Sequence, residues 1–85
     1  MPQEKYELFG SDAMINCNIF GRPIPRFEWH FGSNQIKPNP FKYALYSNIL
    51  IIKRFDFIDI GRYKCTGSNG FGSPVSVNIT LHRAS

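Results

Sequence analysis

What most limits the fold of this chain is an alternation of apolar and polar residues. It puts both cysteines and the only tryptophan on the apolar side of three separate segments. Successive side chains of a strand point to opposite faces, so such alternation marks half-buried strands. Ala13, Ile15, Cys17 and Ile19 alternate with Asp12, Met14, Asn16 and Asn18, while Phe27, Trp29 and Phe31 alternate with Arg26, Glu28 and His30. Tyr63 and Cys65 alternate with Arg62, Lys64 and Thr66, and Val75, Val77, Ile79 and Leu81 with Ser76, Asn78 and Thr80. Leu50 and Ile52 face inward on a further strand, and Phe41 to Tyr46 reads as an edge strand. Breaks fall at Gly21-Arg22-Pro23-Ile24-Pro25, Gly32-Ser33-Asn34 and Pro38-Asn39-Pro40, and Asn69-Gly70-Phe71-Gly72 reads as a hairpin turn. No window carries helical apolar spacing. Seven or eight short strands in 85 residues predict an all-β sandwich with Greek-key connections.

Residues 1–85 make a single domain. A chain this short buries roughly 60–65% of the surface it exposes when unfolded, so a covalent staple would help it. Hydrophobic residues at 42% and aromatics at 15% exclude a disordered tail. The longest apolar run, Ile49-Leu50-Ile51-Ile52, is far too short to cross a bilayer, so no membrane insertion by this segment is expected. Met1-Pro2-Gln3-Glu4 shows no signal-peptide pattern, and the chain reads as a module of a larger multidomain protein. Ten Lys and Arg against six Asp and Glu give a net charge of +4, which suits an acidic partner without naming one.

The stretch Asp59-Ile60-Gly61-Arg62-Tyr63-Lys64-Cys65 is the most diagnostic. Asp59 suits a turn in which its carboxylate accepts backbone N–H groups. Gly61 permits a backbone that a Cβ would hinder. Tyr63, two residues before Cys65, suits a tyrosine corner, in which the hydroxyl bonds the upstream backbone. With Gly10 ahead of Cys17, Gly21-Arg22-Pro23-Ile24-Pro25 ahead of Phe27-x-Trp29, and Leu50-x-Ile52-x-x-Phe55 leading into Asp59, the chain resembles the immunoglobulin superfamily. It is most similar to the I-set modules of cell-adhesion molecules, receptor ectodomains and muscle filament proteins. The short span between Trp29 and Leu50 favours the I-set over the longer variable type.

The resemblance implies an immunoglobulin-like sandwich of two packed antiparallel sheets, with Trp29, Asp59, Gly61 and Tyr63 as its core signature. It also implies a Cys17–Cys65 disulfide, worth about 4 kcal/mol on the chain-entropy model. One departure stands out: Phe57 and Ile58 occupy positions that are usually polar in the family. Phe57 and Ile58 together are a candidate apolar contact, with Ile58 tucking under the turn against Phe55 as the alternative for that residue. Phe57 is expected to be exposed, as an apolar contact for a neighbouring domain or partner.

Catalysis is not expected. The two histidines, His30 and His82, sit on an outward strand position and near the terminus, with no nucleophile and orienting group arranged around them. No metal or cofactor is expected: the cysteines lack the short spacing of zinc ligands, and acidic residues are few. Nucleic acid is not an expected partner, because Lys and Arg are scattered. Sheet parity does gather Arg26, His30, Arg62 and Lys64 on one outer face, diluted by Glu28. This is a candidate anion or partner face for a heparan-type glycosaminoglycan or an acidic protein surface. Asn78-Ile79-Thr80 is a glycosylation sequon with Asn78 on the outward parity. Two expectations follow. The first is a protein-interaction module of a cell-surface adhesion protein or receptor ectodomain, extracellular and flanked by immunoglobulin-like or fibronectin-type modules. The alternative is a structural module of an intracellular muscle or cytoskeletal filament protein, cytoplasmic or sarcomeric.

Overall fold

A computed structural model describes residues 3–84. Eight strands form two sheets: β1 (Gln3–Glu7), β2 (Ala13–Asn16), β3 (Arg26–Phe31), β4 (Asn34–Gln35), β5 (Tyr43–Tyr46), β6 (Ile49–Ile52), β7 (Gly61–Ser68) and β8 (Val75–Arg83). A 3-10 turn at Phe57–Asp59 bridges β6 to β7. The larger sheet runs β1-β8-β7-β3-β4 and the smaller β2-β6-β5. All pairs are antiparallel except β1 with β8. The expected sandwich is therefore present.

The inward residues of the alternating segments meet between the sheets. Ala13, Ile15 and Cys17 from one side and Trp29, Tyr63, Cys65, Ile79 and Leu81 from the other are buried, together with Leu50, Ile52 and Phe55. Cys17 and Cys65 are bonded across this core with their Cα atoms 6.1 Å apart. Trp29 is the register partner of Cys65 and is buried in the same cluster. The bond thus ties the two sheets together where the indole already fills the space between them.

Three local expectations need correction. The edge strand begins at Tyr43, not Phe41, because Asn39 folds the preceding residues into a turn: its side chain accepts from the Phe41 N–H at 2.8 Å and its carbonyl from the Lys42 N–H at 3.1 Å. Val75 is 53% exposed, not inward. β8 has nine residues while the strands of the facing sheet have four, so its first residues overhang the core. Asn69 to Pro74 form a longer loop than a tight hairpin, with the Asn69 side chain accepting from the Phe71 N–H at 2.9 Å. β1, which alternation does not mark, pairs with β8 through its backbone.

Candidate functional site

The end of the sandwich before β7 is organised by Asp59, which is 2% exposed. Its carboxylate accepts the Asp56 N–H at 3.0 Å, and Asp56 in turn accepts the Phe57 N–H at 2.7 Å, closing a reciprocal cap on the 3-10 turn. The same Asp59 Oδ2 lies 2.5 Å from Lys42 Nζ. The Asp59 carbonyl accepts the Tyr63 hydroxyl at 2.7 Å, the expected corner. Burial first, and then the Asp59 carboxylate and Tyr43, holds the Tyr63 hydroxyl well above the usual phenol range. Burial, and after it Asp59, also raises Tyr43. Lys42 escaped sequence reasoning, because a partner 17 residues away in another turn leaves no periodic trace.

This cap decides where Phe57 and Ile58 go. With Asp56 and Asp59 committed to the backbone of the turn, the two residues between them project outward and are 68% and 62% exposed. Ile58 does not tuck under the turn. Gly61 pairs with Leu81, so the end of β8 lies beside this turn. An apolar pair therefore stands at the end of the sandwich where β8 finishes.

The outer face of the five-stranded sheet carries the basic residues. His30 pairs with Lys64 and Lys64 with Asn78, giving one row across β3, β7 and β8. Arg62 stands in the next row, opposite Thr80, with Glu4 beyond it on β1. Directly opposed residues have Cβ atoms about 5 Å apart, and next-but-one residues on a strand lie about 7 Å apart. His30, Lys64 and Arg62 therefore form one cluster. Arg26 does not join it. Its partner is Ser68, two rows further along, and the row between holds Glu28 and Thr66. Arg26 and Glu28 instead line an open cleft with Ile24, Asn69 and Pro74. Glu4 binds His82 at 2.8 Å, and the His82 ring stacks on Tyr6 at 4.8 Å, closing the other flank. His30 Nδ1 is enclosed and has no hydrogen-bond partner among the described residues. Asn78 is half-buried on this same face, next to Lys64.

Comparison with known proteins agrees with this architecture. The chain matches the Immunoglobulin I-set domain family over residues 2–82. It is 34% identical to papilin of Drosophila melanogaster over 94% of this chain and 3% of papilin. It is 32% identical to a fibroblast growth factor receptor of Strongylocentrotus purpuratus, covering 85% of this chain and 8% of the receptor. Contactin-2 of Rattus norvegicus is 32% identical over 84% of this chain and 6% of its own length. The chain thus spans only a small part of each relative. Among solved structures, the I-band fragment I67-I69 from titin superposes with a TM-score of 0.87 at 25% identity, over 99% of this chain and 30% of that one. Sidekick-1 immunoglobulin domains 1-5 give 0.87 at 26% identity, over 99% of this chain and 18% of that one.

Proposed function

We propose that the chain, which belongs to the immunoglobulin I-set family, is a non-catalytic binding module from the ectodomain of a cell-surface adhesion protein or receptor. It takes an anionic partner, such as a heparan-type glycosaminoglycan, on the outer face of its larger sheet. The observation that carries this reading is the cluster of His30, Lys64 and Arg62 on three adjoining row positions of a sheet face. Likeness to cell-surface relatives such as contactin-2 supports the setting, and the Cys17–Cys65 bond suits an oxidising compartment. The exposed contacts of such a face are screened over about 8 Å at physiological salt, so binding falls steeply as salt rises. Heparin chromatography tests the reading. In chain made without N-glycosylation, Arg62→Glu with Lys64→Glu should elute at clearly lower salt than the unsubstituted chain with the fold intact, and unchanged elution would leave the face as solvated surface.

Modules in series add a second contact. Phe57 and Ile58 offer an adjacent immunoglobulin-like or fibronectin-type domain an apolar footing at the end where β8 finishes. The titin likeness favours one other reading, a structural module of an intracellular filament protein. In that setting the cysteines would stay reduced and the basic face would meet no extracellular glycosaminoglycan.

A further inference from the structure

We propose that Asn78 carries an N-linked glycan that covers the Lys64–Arg62 cluster, so that glycosylation sets whether the face is open to anions. This rests on the extracellular, anion-binding reading above. Of the seven asparagines, Asn78 is the only one followed by a non-proline residue and then Ser or Thr. The fold places that sequon with its parity outward: Ile79 is buried in the core, while Asn78 and Thr80 lie on the outer face. Asn78 directly opposes Lys64, and Thr80 directly opposes Arg62. The sequon therefore occupies the same two rows as the basic cluster, one strand away, about 5 Å in each row.

The chemistry is a glycosyl transfer from a lipid-linked oligosaccharide diphosphate. Asn78 Nδ2 forms a bond to the anomeric carbon of the sugar, and the bond from that carbon to the diphosphate oxygen breaks. The lipid diphosphate leaves with the electron pair, and the amide proton passes to the transferring enzyme's base. Pairing with Lys64 on β7 holds Asn78 in the folded sheet, and the acceptor is used on the nascent chain before that sheet closes. The sheet then closes with the sugar standing off its outer face, where it opposes no packing. The first sugar meets the Lys64 ammonium before any extended polyanion can. The glycan thus replaces an electrostatic surface with a neutral, hydrated one.

The test uses the chain secreted from eukaryotic cells. Peptide N-glycosidase should lower its mass, and Asn78→Gln should abolish that change. For the binding comparison, sequon variants are preferable to enzymatic removal, which leaves an aspartate beside Lys64. Asn78→Gln and Thr80→Val each remove the sugar, and Thr80→Val keeps Asn78 and a β-branched strand residue should the first variant misfold. Both should elute from heparin at higher salt than the glycosylated parent. No mass change on enzyme treatment overturns the proposal, as does co-elution of parent and variants. If the bare variants elute no later than the same variants carrying Arg62→Glu and Lys64→Glu, the anion-face reading fails, and masking with it. If the bare variants bind through Arg62 and Lys64 but the glycan makes no difference, only the masking fails.

Discussion

The ring of Phe31 occupies the space that a side chain on residue 61 would need: a Cβ there would stand 2.9 Å from Phe31 Cε1. Phe31 is fixed in place by stacking on Tyr63, with ring centroids 4.4 Å apart. Gly61 also has φ of +144°, a region that L side chains rarely adopt. Gly61→Ala therefore combines backbone strain with overpacking. It should cost roughly 2–4 kcal/mol in chemical denaturation. A loss below about 0.5 kcal/mol would mean that Phe31 moves aside freely.

The Lys42–Asp59 pair predicts a second loss. Asp59 is almost fully buried, and the Lys42 side chain is 25% exposed. Lys42→Met strands the carboxylate with the Asp56 N–H among its remaining donors, and should cost about 3 kcal/mol. Adding Asp59→Asn should cost less than the two single losses combined, because the stranded charge is then gone. Strict additivity in a denaturation series would show that the pair behaves like an exposed one.

Much of this end of the molecule was legible in advance. Tyr63 and Cys65 are readable because strand parity depends on neighbours two residues apart, and the turn before them needs a short acceptor such as Asp59. Lys42 was not legible, since its role depends on how two turns meet in space. Nor was the direction of Ile58. Hydrophobicity pulls it inward, but the Asp56–Asp59 cap fixes the turn with that side chain outside. The separation of Arg26 from Arg62 and Lys64 required the register, which parity alone leaves open.

Alkaline pH should destabilise the domain through Tyr63. Its hydroxyl is raised by burial and then by Asp59, above the ordinary value of 10.0. Below 10.0 both folded and unfolded chains hold the proton, and the stability tied to it is fully present. Above 10.0 the unfolded chain loses the proton while the folded one keeps it, so stability falls with rising pH. Tyr63→Phe removes that share along with the bond to the Asp59 carbonyl, worth about 1 kcal/mol. In urea denaturation the wild type should lead at neutral pH, and its lead should shrink above pH 10.0. A constant gap would contradict the assignment.

Phe57→Ser separates surface from core. The ring is largely exposed, so the substitution should change stability by no more than about 0.5 kcal/mol. In a two-module fragment that includes the following domain, it should loosen docking, measured as wider interdomain motion in solution scattering. A loss of several kcal/mol in the single domain would show Phe57 to be a core residue. An unchanged two-module envelope would remove it from the interface.

The most direct test of the cell-surface reading is the redox state of Cys17 and Cys65 in protein taken from its own compartment. Alkylation under denaturing conditions without reductant should label neither cysteine, and alkylation after reduction should label both. Two cysteines labelled before reduction would contradict the extracellular assignment and leave the intracellular filament module as the reading that stands.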